Sequence, residues 1–185
     1  MLRIDPTNWS YTQLFSKIIE YEAAGYEIHA TFIDYISLIP TVGCINTGPG
    51  GTDLRDLFRR IRNTLSRKKI TTISPHQLSV DAKQLIRNGE PDSTFVKSLS
   101  GKGYYSGSRQ LDQEIDLELY VHKAKINGTM HLTVGRGKHR GAPIIDEANL
   151  YFAIPYPRNM PIPEDIHGED MSYNELKKSS SGFDF

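Results

Sequence analysis

The stretch that most constrains the fold of this chain is residues 28–40, which read IHATFIDYISLIP. The run is mostly apolar and rich in Ile, Phe, Tyr and Thr, with one carboxylate, Asp34, in its middle. Such a run predicts a buried strand. A carboxylate buried there needs a metal, a base or several hydrogen bonds. Asp34 is therefore the first candidate functional residue, with a satisfied structural carboxylate or a surface turn without a role in the active site as the alternatives.

A helix and a second strand follow this run. Over residues 53–68 the apolar side chains recur at helical spacing, and the arginines lie mostly on the other side. Residues 69–74, KITTIS, are β-branched and apolar, which predicts a second buried strand. Strand, helix and strand in this order predict a βαβ unit with parallel strands. Functional residues are expected at the carboxyl ends of such strands, where Gln77 falls.

The remaining elements are predicted from caps, spacing and turns. Ser10 is a helix cap for residues 11–24, and residues 79–88 and 106–114 suit a short helix and a helical turn. The polar, glycine-spaced residues 89–105 suggest a mobile loop. Asn127-Gly128 predicts a hairpin between strands 116–123 and 129–136, and 149–154 is a last strand. In the second hairpin strand, Met130, Leu132 and Val134 alternate with polar residues, as in a half-buried strand.

Composition limits the class of protein. A chain of 185 residues with zero formal net charge suits one domain and gives no overall signal for nucleic acid. The single cysteine, Cys44, excludes a disulfide within the chain, which favours a reducing cytoplasmic setting. No apolar run approaches the roughly 20 residues of a membrane span, and the first residues lack a signal-peptide profile.

Five segments occur in this order along the chain: FIDYISL, the arginine-bearing helix, ISPHQLS, SGSRQLDQEIDLELY and LTVGRGKHRGAP. Together they resemble the C-terminal ATPase domain of DnaB-like replicative helicases. The resemblance implies an α/β fold: a partial RecA-like core with a mostly parallel sheet, flanking helices and a C-terminal β-hairpin. It covers most of residues 1–156, and the acidic, proline-containing residues 157–185 are expected to form a flexible tail.

The resemblance assigns roles to single residues. Asp34 matches the Walker B aspartate and would hold the hydrated Mg²⁺ of ATP, and Gln77 matches the glutamine that senses the γ-phosphate. Lys138 and Arg140 match the Lys-x-Arg finger that serves the next subunit's nucleotide in trans. Without the resemblance, a solvated basic loop or a contact with DNA phosphate is the simpler interpretation. In the segment expected to face single-stranded DNA, the candidate phosphate contacts are Lys83, Arg87, Lys97 and Lys102.

A phosphate loop is missing from the sequence. No G-x-x-x-x-G-K-[ST] segment occurs, and the glycine-rich GPGGTDLR lacks the lysine. The chain thus resembles the portion of a helicase that begins near the Walker B strand, and by itself it is expected to be inactive. The expected partners are single-stranded DNA and either identical subunits in a hexameric ring or an upstream polypeptide with the phosphate loop. A phage origin would place it in the bacterial host cytoplasm.

Other functions fit the same segments. A recombinase-like or KaiC-like ATPase fragment shares the Walker B strand and the late hairpin. A non-catalytic module that joins a helicase ring, supplying a finger without hydrolysing ATP, belongs to a different class. An unrelated α/β protein is the third alternative.

Overall fold

The computed structural model describes residues 8–48, 50–89, 91, 94–126, 128–141 and 150–155. They form two compact units. The first unit comprises the described residues of Met1–Ser79 and Tyr105–Glu114, and the second unit those of Val80–Tyr104 and Ile115–Phe185. Among these residues, no helix combines the length and apolar character needed to cross a membrane.

Two amphipathic helices build the first unit. Helix α1, Tyr11–Ala23, begins at a capping box in which Ser10 and Gln13 bond each other's backbone, as the Ser10 cap predicts. Helix α2, Thr52–Arg67, confirms the predicted helix, and its apolar residues Leu57, Phe58, Ile61 and Leu65 are buried. Short 3-10 helices at Ile36–Leu38 and Arg109–Glu114 complete the unit. The buried apolar side chains of this unit include Ile18, Ile36, Leu57, Ile61, Leu65 and Leu111.

The predicted βαβ unit is present around α2. Strands β1, Ala30–Phe32, and β2, Thr71–Ile73, pair in parallel, with Phe32 opposite Ile73. The backbone bonds Thr71 N to His29 O and Ile33 N to Ile73 O extend the ladder at both ends, each at 2.9 Å. The order strand, helix, parallel strand follows from the pattern of apolar residues.

The expected burial of these strands is wrong. Each has three residues, and each alternates exposed, half-buried, exposed. Phe32 is 77% exposed and Ile73 is 47% exposed. Parallel strands are normally covered on both faces, so β1 and β2 present apolar side chains that the described residues do not cover.

An antiparallel sheet dominates the second unit. Strands β3, Leu117–Ile126, β4, Thr129–His139, and β5, Tyr151–Pro155, lie in the order β3-β4-β5. Ile126 pairs with Thr129, which confirms the predicted hairpin. The expectation of a mostly parallel sheet is met only by β1 and β2, because the larger sheet among the described residues is antiparallel.

The buried face of β4 is the opposite of the one expected. His131, Thr133 and Gly135 are buried, while the alternating residues from Met130 to Val134 are half-buried. Gly135 is buried because Val96 and Tyr151 occupy the space a side chain would take, with the Val96 Cγ1 only 2.2 Å from an added Cβ. The apolar residues therefore lie on the less covered face of the sheet.

Helix α4, Phe95–Leu99, covers the buried face and replaces part of the expected loop over residues 89–105. Phe95, Val96 and Leu99 are buried, and the Phe95 ring lies 4.8 Å from the His122 ring on β3. Helix α3, Val80–Arg87, confirms the predicted short helix. Residues 157–185, the expected tail, lie outside the described residues.

Candidate functional site

The carboxyl ends of β1 and β2 bring two predicted site residues to one edge of the parallel sheet. Asp34 follows β1 by two residues, and Gln77 follows β2 by four. The Gln77 Nε2 donates a hydrogen bond of 3.1 Å to the Oη of Tyr35, the residue next to Asp34. The sequence predicts this meeting of strand ends, and the structure contains it.

Asp34 is exposed, not buried as expected. The strand ends at Phe32, so the aspartate lies in the turn before the 3-10 helix. An exposed carboxylate keeps its hydration and needs no buried partner. The Asp34 carboxylate is thus accessible to solvent at the end of the parallel pair.

A hydroxyl holds the two strand ends together beneath this edge. The Ile36 N–H donates to the Ser74 Oγ at 3.0 Å, and the Ser74 hydroxyl lies 3.2 Å from the Pro75 carbonyl oxygen. The sequence interpretation passed over both Ser74 and Tyr35. A hydroxyl at the last position of the predicted strand 69–74, and a tyrosine after an aspartate, are the signals that could have identified them.

The Ser-Gly-Ser segment, residues 106–108, packs against the same region of the first unit. The Ser106 N–H donates to the Gln77 carbonyl at 3.0 Å, and His76 Nε2 lies 2.8 Å from the Ser106 carbonyl oxygen. Farther along, Arg55 on α2 bonds Glu114 and Gln110, each at 2.9 Å. The acidic turn after the Ser-Gly-Ser segment is thereby held on the arginine-bearing helix.

The predicted finger residues lie at the end of β4 in the second unit. The Lys138 N–H donates to Glu118 at 3.3 Å, and the Arg140 N–H donates to the Asp116 carbonyl at 2.7 Å. The Arg140 Nε lies 3.5 Å from an Asp116 carboxylate oxygen, with both side chains about half exposed (44% and 53%). Sequence reasoning missed Asp116 and Glu118, whose signal was the acidic pair at the start of the partner strand.

A bulge alters the geometry of this segment. Pairing advances two residues on β3, from Leu117 to Leu119, while it advances three on β4, from His139 to Arg136. The extra residue interrupts the alternation of side chains that the sequence pattern assumes. Gly137 lies in the bulge, and an added Cβ would be 2.1 Å from a Glu118 carboxylate oxygen.

The four cations predicted to contact DNA lie in the second unit. Lys83 and Arg87 are exposed one turn apart on α3, and Lys102 is exposed after α4. Lys97 is half-buried, with its Nζ 4.9 Å from the centre of the Tyr151 ring. Lys97 thus already has an aromatic contact, while the other three are placed at the surface.

Among the residues that the structure describes, no group of three or more His, Cys, Asp or Glu side chains could hold a metal ion.

No curated protein sequence matches the chain. A family model, described as divergent DnaB-like ATPase, matches residues 1–184. The match covers nearly all of the 185 residues. The chain therefore belongs to the divergent DnaB-like ATPase family.

Proposed function

We propose that this chain supplies the part of a RecA-type ATPase core that begins at the Walker B strand, in a ring-forming replicative DNA helicase. The observation that carries the proposal is the 3.1 Å contact between Gln77 and Tyr35, which brings the Gln77 amide next to the turn that contains Asp34. Family membership supports use of a nucleotide. Movement on single-stranded DNA, and the ring itself, belong to the proposal.

Asp34 suits the Mg²⁺ that accompanies ATP. Mg²⁺ in nucleotide sites keeps several waters and takes one or two protein carboxylates besides the phosphates. The exposed Asp34 carboxylate would hold the hydrated ion through water. When bound, the ion offsets the negative charge of the phosphate oxygens.

Gln77 suits a sensor because its present contact can be exchanged. The Gln77 amide nitrogen donates to the Tyr35 hydroxyl on an exposed edge of the first unit. A phosphate oxygen is a stronger, charged acceptor for that N–H. Occupation of the site would draw Gln77 away from Tyr35, and loss of the γ-phosphate would return it.

Lys138 and Arg140 suit a finger that acts on a neighbouring subunit's nucleotide. The exposed pair of Arg140 and Asp116 is of a kind that contributes only about 0–1 kcal/mol. Phosphate groups can therefore compete for the guanidinium, whose planar fork binds two oxygens at once. Lys83, Arg87, Lys97 and Lys102 are the proposed contacts with DNA phosphates.

A segment with a phosphate loop is the proposed partner, whether it lies upstream on the same polypeptide or on another chain. Such a segment would supply a strand beside β2 and cover the exposed Phe32 and Ile73. We expect the 185-residue chain alone to bind ATP weakly and not to hydrolyse it. ATP turnover by the purified chain alone would contradict this expectation.

The test replaces Arg140 by Ala in the assembly of chain and phosphate-loop segment, with His139→Ala as the matched exposed control. Loss of a guanidinium finger should lower ATP hydrolysis by about 10³-fold or more, with nucleotide affinity retained. Titration of single-stranded DNA over a range of salt concentrations gives the opposing result. Retained hydrolysis with a salt slope reduced by about 0.7 would make Arg140 a DNA-phosphate contact instead.

A further inference from the structure

His76 lies at a junction of three segments of the first unit. Its Nε2 is 2.8 Å from the carbonyl oxygen of Ser106, which can only accept, so Nε2 carries the proton. The ring meets Phe58 of α2 edge to face, with centroids 5.8 Å apart and planes at 85°. It also meets the Tyr105 ring at 6.1 Å.

The segment that His76 contacts also holds the backbone around Gln77. The Ser106 N–H donates to the Gln77 carbonyl at 3.0 Å, and Leu78 pairs with Tyr105 in an isolated antiparallel bridge. His76 and Gln77 therefore bond the same residue, one through a side chain and one through the backbone. The Gln77 side chain then reaches Tyr35 from a backbone position that Ser106 holds.

The other ring nitrogen, Nδ1, lies in surroundings that favour the neutral form of the His76 ring. Its Nδ1 is buried and has no hydrogen-bond partner among the described residues. Burial lowers the pKa of His76 from its ordinary 6.5, although the bond to Ser106 opposes that effect. The groups facing the ring are Phe58 from α2 and the Tyr105 phenol and Ser106 carbonyl from the adjoining segment. None of these supplies a negative charge for an imidazolium near neutral pH.

We propose that His76 is a positioning residue whose neutral ring pins residues 106–108 to the end of β2 and thereby fixes the Gln77 amide. Protonation of the ring leaves the Nε2–H donor in place, but it buries a charge and a second N–H at Nδ1, which has no acceptor among the described residues. The segment therefore opens to hydrate the imidazolium, and the pin is released. The inference rests on the proposed function only for the role of Gln77 in sensing nucleotide. The hydrogen bond between His76 and Ser106 is a property of the first unit.

The test is hydrogen exchange of the Ser106 amide, measured by NMR on the 185-residue chain from about pH 7.5 down to about pH 5. Its protection factor should fall by up to about tenfold for each pH unit below 6.5. The amide of Ile61, buried within α2, is the internal control and should keep its protection.

Two substitutions separate the hydrogen bond from the packing of the ring. His76→Phe keeps the ring and removes the donor, so Ser106 protection should drop at least about fivefold at neutral pH. His76→Gln keeps a donor near the position of Nε2 and has nothing to titrate. It should hold protection within about threefold of the natural protein and remove its pH dependence.

Three results would overturn the proposal: constant protection across the pH range in the natural protein, full protection in His76→Phe, or equal loss in both variants. If His76→Phe does not fold, the pH profile and His76→Gln decide. Gln77→Ala keeps its backbone carbonyl and should leave the Ser106 profile in place. A changed nucleotide response in that variant therefore tests the proposed function separately.

Discussion

At the residue scale, Asp56 shows how hydrogen bonds stabilise a buried charge in this chain. The carboxylate is 3% exposed and accepts hydrogen bonds from the Ile45 N–H at 2.9 Å, Arg59 at 2.6 Å and Arg60 at 2.7 Å. Burial alone would raise the pKa of Asp56, but these three bonds outweigh it and lower the pKa from 3.8 to about 2. The loop before α2 is thereby attached to the helix.

We expect Asp56→Asn to lower the free energy of unfolding by roughly 2 kcal/mol at pH 7. The folded pKa of Asp56 is lowered, so its contribution is present above pH 3.8 and is lost as the pH falls toward 2. Urea unfolding at several pH values should show the two proteins converging in acid. Glu20→Gln, at a 67% exposed carboxylate, is the control and should change stability by less than about 0.5 kcal/mol. A constant difference between Asp56→Asn and the natural protein at every pH would contradict this account.

Gly51 is a second residue whose identity follows from its surroundings. Its φ of 69° is left-handed, and an added Cβ would lie 2.1 Å from the Gly107 carbonyl oxygen, which is backbone and cannot move aside cheaply. Gly43 has a similar φ of 78°, but an added Cβ there would meet only Tyr11 at 3.7 Å.

Replacing each glycine by Ala separates the strain of a left-handed backbone from the collision with a neighbouring segment. Gly43→Ala should cost about 1 kcal/mol for the left-handed backbone. Gly51→Ala should cost about 3 kcal/mol, because it adds a collision with the Ser-Gly-Ser segment. Thermal or urea unfolding measures the loss of stability in each variant. Equal losses would show that the Gly107 carbonyl oxygen does not restrict the space beside residue 51.

At the element scale, the antiparallel sheet has one covered and one open face. Tyr120 and Ala124 of β3 are buried on the side of α4, whereas Leu117, Leu119 and Val121 are 49%, 56% and 57% exposed. Exposed and buried side chains alternate along this part of β3, as in a strand with one covered face. Which face is covered depends on α4, and the pattern of β4 alone pointed to the wrong one.

Two substitutions on β3 test which face is covered. Val121→Thr should change the free energy of unfolding by less than about 0.5 kcal/mol, because the side chain is already solvated. Ala124→Thr, at a position 0% exposed, should cost about 1–3 kcal/mol by overpacking. Comparable costs at the two positions would show that both faces are covered in solution.

At the scale of the whole molecule, exposed apolar strand residues support association with the proposed phosphate-loop segment. We expect Phe32→Glu to weaken that association at least about tenfold while leaving the stability of the free chain nearly unchanged, since Phe32 is 77% exposed. Tyr26→Glu, 64% exposed outside the strands, is the matched control. Calorimetric titration measures the affinity, and unaltered binding of Phe32→Glu would exclude this face.

Local pattern determined much of this protein. Helices α1 and α2, the parallel pair around α2 and the hairpin of β3 and β4 follow from caps, spacing and turn residues. These features act over a few residues, so the sequence displays them directly. The meeting of Asp34 and Gln77 at one sheet edge also follows, because parallel strands place their carboxyl ends together.

Only the tertiary structure decided burial and partnership. Apolar content implied that Asp34 is buried, yet β1 lacks a cover among the described residues and the aspartate is exposed. The short helix α4 forms within a polar, glycine-spaced stretch, and its position determines which face of the antiparallel sheet is covered. The bonds of Gln77 to Tyr35, and of His76 to Ser106, join residues 42 and 30 positions apart. Such contacts depend on how distant segments pack, which no local pattern in the chain encodes.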